Sequence, residues 1–505
     1  MYALLLVFLL PTLGIPLAYM TGKKSDKAAA IVVAIIALIC IGLVATTIPD
    51  VLNNPNNRYE ESYNWIPVLN TSFTLFTDGI SVSIALVSLA LIMVASLFSI
   101  NYMHGKKNLP VYYALLSMLS VGLVGVFITS NLLLFYFCWE LMLVPAYFIV
   151  GGWGYRDSYK AAFKLFVFTH AGAVFVLLGI GAIYMVTGVT DMFAAQAALM
   201  NAAPDVVRWI LIAFTAGFAV KMAVVPVHMW LPDAHSEAPA TMSALLSGVI
   251  ISAGAYAILR LSLGMVFPAV IGAQMQFAVD FLHVLTIFGV ISAFFGSLIA
   301  LVETDIKRII AYTSISHMGY VLFGLSLFPV SPVAGTIAVS VAILGTVLHI
   351  LSHAVSKGLL FLTAGGIMHQ TNERDITKMG GLAAKMPFTS VSSIIAALSI
   401  AGAPPFACFI SEFFIFVGAF DVIKQDGFYT IPTVFMLIAV VFSLAYSLRY
   451  ISKVFLGQAK NEGENKVTDV SLYMKIAMVI LVILVILIGI YPGFFIQLIN
   501  SVQFG

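Results

Sequence analysis

The sequence predicts an all-α polytopic membrane protein of about fourteen transmembrane helices, and three observations predict it. Of 505 residues, 61% are hydrophobic and 9% charged, against roughly 25% charged in soluble domains. A water-facing fold would lack the charges to cover its surface, which excludes an ordinary soluble enzyme and a disordered binding chain. Many separate apolar runs approach or exceed the ~20 residues that cross a bilayer. The runs lack the alternation of a membrane β-barrel, and lipid cannot satisfy an open backbone, so each reads as helix.

The apolar cores fall at 2–20, 28–49, 77–100, 111–129, 131–150, 161–186, 206–227, 240–266, 280–302, 308–328, 335–366, 388–420, 430–456 and 472–497. The first starts at Met1 with no basic stretch ahead of it and reads as a span, not a cleaved leader. The longest polar connection, 50–76, holds Asn53, Asn54, Pro55, Asn56 and Asn57 and reads as a surface loop. Alternate connections carry Lys23, Lys24 and Lys27; Lys106 and Lys107; Arg156 and Lys160; Lys307 and Arg308; Arg374, Lys378 and Lys385; and Lys453, Lys460 and Lys466. The intervening ones carry Arg58, Arg208 and Lys424. That bias supports an even span count and places both termini on the outer face of an energy-transducing membrane.

The seventh and twelfth runs are interrupted by proline, in KMAVVPVHMWLP near Pro226 and in AGAPPF at Pro404 and Pro405. Interrupted helices five spans apart suit an inverted repeat, although prolines also simply kink membrane helices. The expected units are a three-helix segment at 1–110, a first repeat at 111–270, an inverted second repeat at 271–456, and a loop with the last helix at 457–505.

Net charge is +2 and the basic residues are scattered, so nothing points to nucleic acid. Cys40, Cys138 and Cys408 stand alone in apolar runs and read as small buried hydrophobes, with no CxxC for a cluster or zinc. No Walker loop and no Rossmann fingerprint appears. Any redox chemistry is therefore expected in partner chains.

The informative residues are ionisable groups inside apolar runs, where a charge costs ~2.5–3.5 kcal/mol to insert. The deep acids are Glu140 and Glu412; the deep bases are Lys221 and Lys357, with Lys164 and Arg260 nearer an end. Arg449 and Lys475 lie close enough to an interface to snorkel. Glu140 and Lys221 lie at one depth and are expected to pair. Such a pair is either a static lock between two helices or, as favoured here, a proton site that switches when the partners separate. His349, His353 and Lys357 recur at i, i+4 and i+8 on one helix face, a stripe suited to relaying protons toward Glu412. Chelation of a metal ranks lower, because no third ligand stands nearby in sequence; interhelical hydrogen bonding is the plain alternative. His228 and His235 flank HMWLPDAHSEAP, either a proton entry or, as favoured here, a polar connection. His317 either joins the path or satisfies a neighbouring carbonyl, and His170 reads as a packing residue.

The segments FYFCWELMLVPAYFIVGGWG (135–154), KMAVVPVHMWLPDAHSEAP (221–239), ETDIKRIIAYTSISHMGY (303–320) and GAPPFACFISEFFIF (402–416) resemble the antiporter-like membrane subunits of respiratory complex I. That family is shared with the large subunits of multi-subunit Na⁺/H⁺ antiporters. WELMLVP followed by WG resembles its M-type branch, as does an acid at Glu412, and no long lateral helix of the L type is expected. The resemblance implies two inverted five-helix repeats around a hydrated proton axis. It maps the fifth-span glutamate onto Glu140, the broken-helix lysine onto Lys221, the eighth-span arginine onto Arg260 and the eleventh-span histidine onto His349 or His353. Where the family has a lysine midway along the eighth span, this chain has Ser252, which holds water but no charge; Lys357 would supply the central cation instead. That departure is more like hydrogenase or archaeal-type relatives.

The expected function is a proton-translocating subunit of a redox-driven pump, with NADH:quinone oxidoreductase or a related donor:quinone or hydrogenase complex as the whole. Glu140, Lys221, Lys357 and Glu412 would move protons, supported by Ser252, Arg260, His228, His317, His349 and His353. FMN or another donor site and iron–sulfur clusters are expected in partner subunits, with no cofactor in this chain. The expected partners are L-like and N-like paralogues, small K-, J- and A-like subunits, the hydrophilic redox arm and lipids. A cation/H⁺ antiporter subunit without a redox module is the alternative; a mere scaffold would leave the deep charges uncompensated.

Overall fold

The computed structural model describes residues 2–54, 57–69, 71–330, 337–458 and 467–504. Lys460 and Lys466, and Pro55 and Asn56 of the polar connection, lie outside them. The helices run α1 (Ala3–Gly22), α2 (Asp26–Ala45), α3 (Gly79–Tyr102), α4 (Leu109–Ile128), α5 (Leu132–Leu141), α6 (Leu143–Trp153), α7 (Ser158–Thr187), α8 (Pro204–Met222), α9 (Leu231–Glu237), α10 (Ala240–Ala273), α11 (Met275–Val302), α12 (Ile306–Ser326), α13 (Val341–Thr371), α14 (Pro387–Ile400), α15 (Ala407–Ile423), α16 (Thr430–Phe455) and α17 (Leu472–Ile490). Among the described residues, twelve unbroken or nearly unbroken helical stretches are long and apolar enough to cross a membrane, with α5 and α6 acting as one. The other two runs expected as spans differ. α8 carries Asp205, Arg208 and Lys221 and stops early, and the twelfth run is divided into α14 and α15.

Helix starts follow from local capping chemistry. Ser25, Asp78, Asn131, Asp305 and Ser340 each accept from first-turn amides, which satisfies donors left orphan at the helix start. α10 and α13 have wholly buried hydropathic windows, so no side of either faces lipid, and they form the middle of the bundle. α10 contains two π-helical stretches, 246–250 and 258–266, with Ser252 between them. α11 and α12 lie backbone to backbone. A Cβ on Gly289 would meet Phe323 N at 2.8 Å, one on Gly296 would meet Ser316 N at 2.5 Å, and one on Gly319 would meet Ala293 N at 2.4 Å.

The connection read as a surface loop is ordered differently. Strands β1 (Arg58–Ile66) and β2 (Thr71–Asp78) form an antiparallel hairpin, as the Thr, Tyr and Phe content of these segments favours. The carboxylate of Glu61 accepts the amides of Leu4 and Leu5 at 3.0 Å each and caps the chain's first helix. At the same end, β3 (Ile337–Ala338) pairs with β4 (Gln503–Phe504), so both ends of the chain lie at one end of the bundle. The other end carries the Lys- and Arg-rich connections.

The two breaks satisfy the backbone they free. α8 ends at Met222, four residues before Pro226, because Ala223 takes a left-handed φ of 59°. The Trp230 indole donates to Val220 O, and Val225 N donates to the Ser292 hydroxyl. α14 ends at Ile400, whose carbonyl accepts from the Ser443 hydroxyl at 2.9 Å, and Gly402 supplies a φ of 67°. The Val225–Pro226 and Pro404–Pro405 peptides are both cis.

Candidate functional site

Glu140 lies at the end of α5, where the fifth span bends at Met142. Lys221 lies in the last turn of α8 and is 2% exposed. The expected direct pair between them is not formed. Lys221 Nζ donates to the Trp139 carbonyl at 3.0 Å and sits 3.9 Å from the centre of that indole ring. Glu140 Oε2 instead meets His170 Nδ1 at 3.0 Å. The ammonium is thus held one residue short of the carboxylate, whose charge still reaches it. His170 stacks on Phe166 at 5.4 Å, as expected of a packing residue, and its ring also reaches Glu140 from α7, with 48% of its side chain exposed.

The second group is larger and drier. His349, His353 and Lys357 are wholly buried on α13, with both His349 and His353 facing the ring of His317 on α12 at 5.3 and 5.7 Å. His317 Nδ1 meets His349 Nε2 at 3.1 Å and lies 4.0 Å from Glu412 Oε1. The remaining ring nitrogens are anchored, His317 Nε2 by the Tyr446 hydroxyl at 3.1 Å and His349 Nδ1 by Ser411 Oγ at 2.9 Å. The stripe therefore reaches Glu412 through His317, which bonds to side chains as a member of the row. Among the described residues, Glu412 Oε1 and both nitrogens of His353 have no hydrogen-bond partner. Lys357 donates to Ile310 O at 3.1 Å and to the Thr313 hydroxyl.

His235 and Lys307 were not legible as members of this group. His235 is fully buried in α9, stacked on Phe361 at 4.9 Å, within electrostatic reach of both Lys307 and Lys357. It is not a polar surface connection. Lys307 is no loop cation either: it sits in the first turn of α12, wholly buried, donating to Ala238 O beside the Tyr155 ring. Among the described residues, none of Lys221, Lys307 and Lys357 forms an ion pair with a carboxylate. Above Lys307, toward the basic end, the Tyr102 and Tyr155 hydroxyls meet at 2.6 Å beneath a cavity of about 390 Å³ that Lys106, Arg156 and His369 help to line.

Other expected members are placed elsewhere. Arg260 Nη2 meets Asp78 Oδ2 at 2.6 Å, both buried, which ties α10 to the start of α3. Ser252 is buried and donates to Gly248 O at 2.9 Å, with no ionisable group bonded to it. His228 packs edge-on against Phe295 at 4.7 Å in the break after α8. Lys164 pairs with Asp233 at 2.7 Å near the basic end.

A metal cannot be set aside on the ground that a third ligand is missing. His317, His349 and Glu412 bring three ligand atoms within 4.8 Å of one another, because the break before α15 returns Glu412 to the two imidazoles. With their outer nitrogens anchored, the two histidines have the support that metal-ligating imidazoles use. The same arrangement suits proton exchange between neighbours.

A multi-pass helical membrane protein with buried lysines, imidazoles and two acids set along its middle helices and beside two broken ones belongs to the class of ion-translocating membrane subunits. The chain is a member of the NADH:quinone oxidoreductase/Mrp antiporter transmembrane family, whose model matches residues 129–443. It is 34% identical over 448 residues to NADH-quinone oxidoreductase subunit M of Escherichia coli (strain K12), covering 87% of this chain and 83% of that one. It is 31% identical over 443 residues to F(420)H(2) dehydrogenase subunit M of Methanosarcina mazei, covering 86% and 84%. Among solved structures, a chain of the archaeal membrane-bound sulfane sulfur reductase superposes with a TM-score of 0.84 at 27% identity, over 97% of this chain and 76% of that one.

Proposed function

We propose that this chain is a proton-translocating membrane subunit of a redox-driven pump of the complex I type. The observation that carries the reading is the row Lys307, His235, Lys357, His353, His349, His317 and Glu412, buried with no lysine–carboxylate pair in the row among the described residues. Uncompensated ionisable groups in a bilayer are costly and persist where they move charge. Lys221 and Glu140 form the input switch. The ammonium rests on the carbonyl of residue 139, so rotation of Glu140 exchanges His170 for Lys221, and the return drives a proton onward. The proton passes Ser252 and intervening water to Lys357 and the imidazoles, and Glu412 is the terminal acid. Lys307 and His235 refill the row from the basic end, which faces the inside, so both termini face outward. Arg260 holds the frame, and His228 lines the break. Residues 111–270 and 271–456 are the two repeats.

The whole complex would contain paralogous L-like and N-like chains, small K-, J- and A-like subunits, bound lipid, and a hydrophilic arm holding a donor site such as FMN and iron–sulfur clusters. The relatives carry the names of different donors, so the donor follows the arm and not this chain. The test is Glu412→Gln in the reconstituted complex. Protons moved per electron should fall with electron transfer retained; unchanged yield refutes the assignment. Copies that purify with antiporter subunits alone, and exchange cations without a redox arm, would favour the antiporter reading instead.

A further inference from the structure

Beyond Glu412, on the side away from the basic end, polar groups continue through helices that are otherwise apolar. Tyr320, one turn from His317 on α12, is fully buried, and its hydroxyl has no partner among the described residues. One turn before His349 on α13, the Thr346 hydroxyl lies directly over Gly324: a Cβ at residue 324 would stand 2.0 Å from Thr346 Oγ1. Two residues further along α12, the buried Ser326 hydroxyl accepts from Thr286 at 2.7 Å, and its carbonyl accepts from the Tyr429 hydroxyl at 3.0 Å. Tyr429 lines a cavity of about 500 Å³ whose polar walls are Asp421, Gln425, Asp426 and Ser340. At its edge Asp426 Oδ2 meets His283 Nε2 at 2.6 Å, and that imidazole is stacked on Phe428 at 3.8 Å. Thr286 and Ser326 touch directly, and where no hydrogen bond joins neighbouring hydroxyls a bridging water would complete the file.

We infer that this cavity is the outward mouth of the path, and that Thr346, Ser326, Thr286 and Tyr429 are the hydroxyl steps joining Glu412 to it. The inference rests on the reading of Glu412 as the terminal acid. A hydroxyl both donates and accepts, so a file of hydroxyls and waters passes a proton without holding it. Glu412 releases its proton to the file, and the Asp426–His283 pair takes one at the mouth and gives it to bulk water. The file loses and gains one proton per transfer, so no other reactant is needed. Gly324 has a clear part: any side chain there would close the notch in which the Thr346 hydroxyl sits.

Two variants test the mouth and the file separately in the assembled complex, with Glu412→Gln alongside. Thr346→Val keeps the shape and removes the hydroxyl. Gln425→Cys, on the exposed wall of the cavity, is treated in sealed vesicles with a charged, membrane-impermeant thiosulfonate on the outer side; Cys40, Cys138 and Cys408 are buried and give no background. Loss of this chain's share of translocated protons on labelling, with electron transfer retained, supports the mouth, and the same loss in Thr346→Val supports the file. If labelling runs to completion and Thr346→Val assembles, and both keep full proton yield where Glu412→Gln lowers it, the outward route lies elsewhere and the inference is overturned. If Glu412→Gln also keeps full yield, the terminal-acid reading falls and takes the mouth with it.

Discussion

Replacing Gly402 by alanine tests the terminal acid without touching its charge. Gly402 lies in the break between α14 and α15 with φ 67°, and a Cβ there would stand 2.3 Å from Glu412 Oε2 and 3.2 Å from its carboxyl carbon. Ordinary contact between such atoms begins near 3.4 Å, so the carboxylate has to retreat by about 1 Å, a misplacement that costs as much as ~100-fold where groups must align to react. The left-handed backbone adds about 1–2 kcal/mol for a residue with a Cβ, small against the stability of a chain this size. Position therefore outweighs stability, and the variant should assemble. Glu412 Oε1 stands 4.0 Å from His317 Nδ1, already a step that needs a small approach or a bridging water, so displacing the carboxyl disturbs exchange between them. Proton uptake and release are measured against electron transfer in proteoliposomes, with assembly checked by size. The expected result is fewer protons per electron in an assembled complex. Wild-type stoichiometry would show that the Glu412 carboxyl does not need this position, and the reasoning fails.

Three further outcomes follow from other parts of the fold. Asp78→Asn keeps the cap on the third-span helix but leaves the buried Arg260 guanidinium uncompensated, so unfolding in detergent should show a loss of about 3–5 kcal/mol; the double change with Arg260→Met should recover most of it, and a loss below ~1 kcal/mol would mean the pair is solvated. Lys307→Met removes a wholly buried cation that has no acid partner; it should leave stability unchanged or raised while lowering proton delivery, and equal losses of both would make Lys307 structural. Asp375, in the connection after the eleventh span, has its carboxyl held below its ordinary 3.8 by the Thr377 hydroxyl and the Thr377 amide, which donate at 2.7 and 2.8 Å. A lowered folded value contributes stability above the ordinary value and loses it as pH falls through the folded one, so Thr377→Val should lower stability slightly at neutral pH, flatten the acid arm of the unfolding curve below pH 3.8, and leave the most acid points unchanged.

The bundle was legible because lipid leaves the backbone one answer, and because five helices begin at polar residues that cap them: Ser25, Asp78, Asn131, Asp305 and Ser340. The breaks were legible from Pro226, Pro404 and Pro405, but their positions were not: α8 stops at Met222 through a left-handed alanine, for which a sequence carries no mark. The β1–β2 hairpin was hidden by the asparagines around it. In the site, spacing along one helix showed the His349–His353–Lys357 stripe, whereas contacts between helices were invisible. That is why Glu140 was matched to Lys221 and not to His170, and why the metal-like grouping of Glu412 with two imidazoles was missed. Lys307 had a signal that went unused: it shares spacings of seven and ten with Ser314 and His317, which places all three on one face of α12. Counting it among the loop cations obscured that.

The glycine-lined seam between α11 and α12 has a mechanical consequence. Two helices whose main chains touch along Gly289, Gly296 and Gly319 have no side-chain cushion to shear, so they behave as one stiff beam. His317 rides on that beam and Glu412 does not. On the function proposed above, a change in the distance between Glu412 and His317 would therefore come from the break near residue 402 that carries Glu412, against an imidazole held on the stiffer pair of helices.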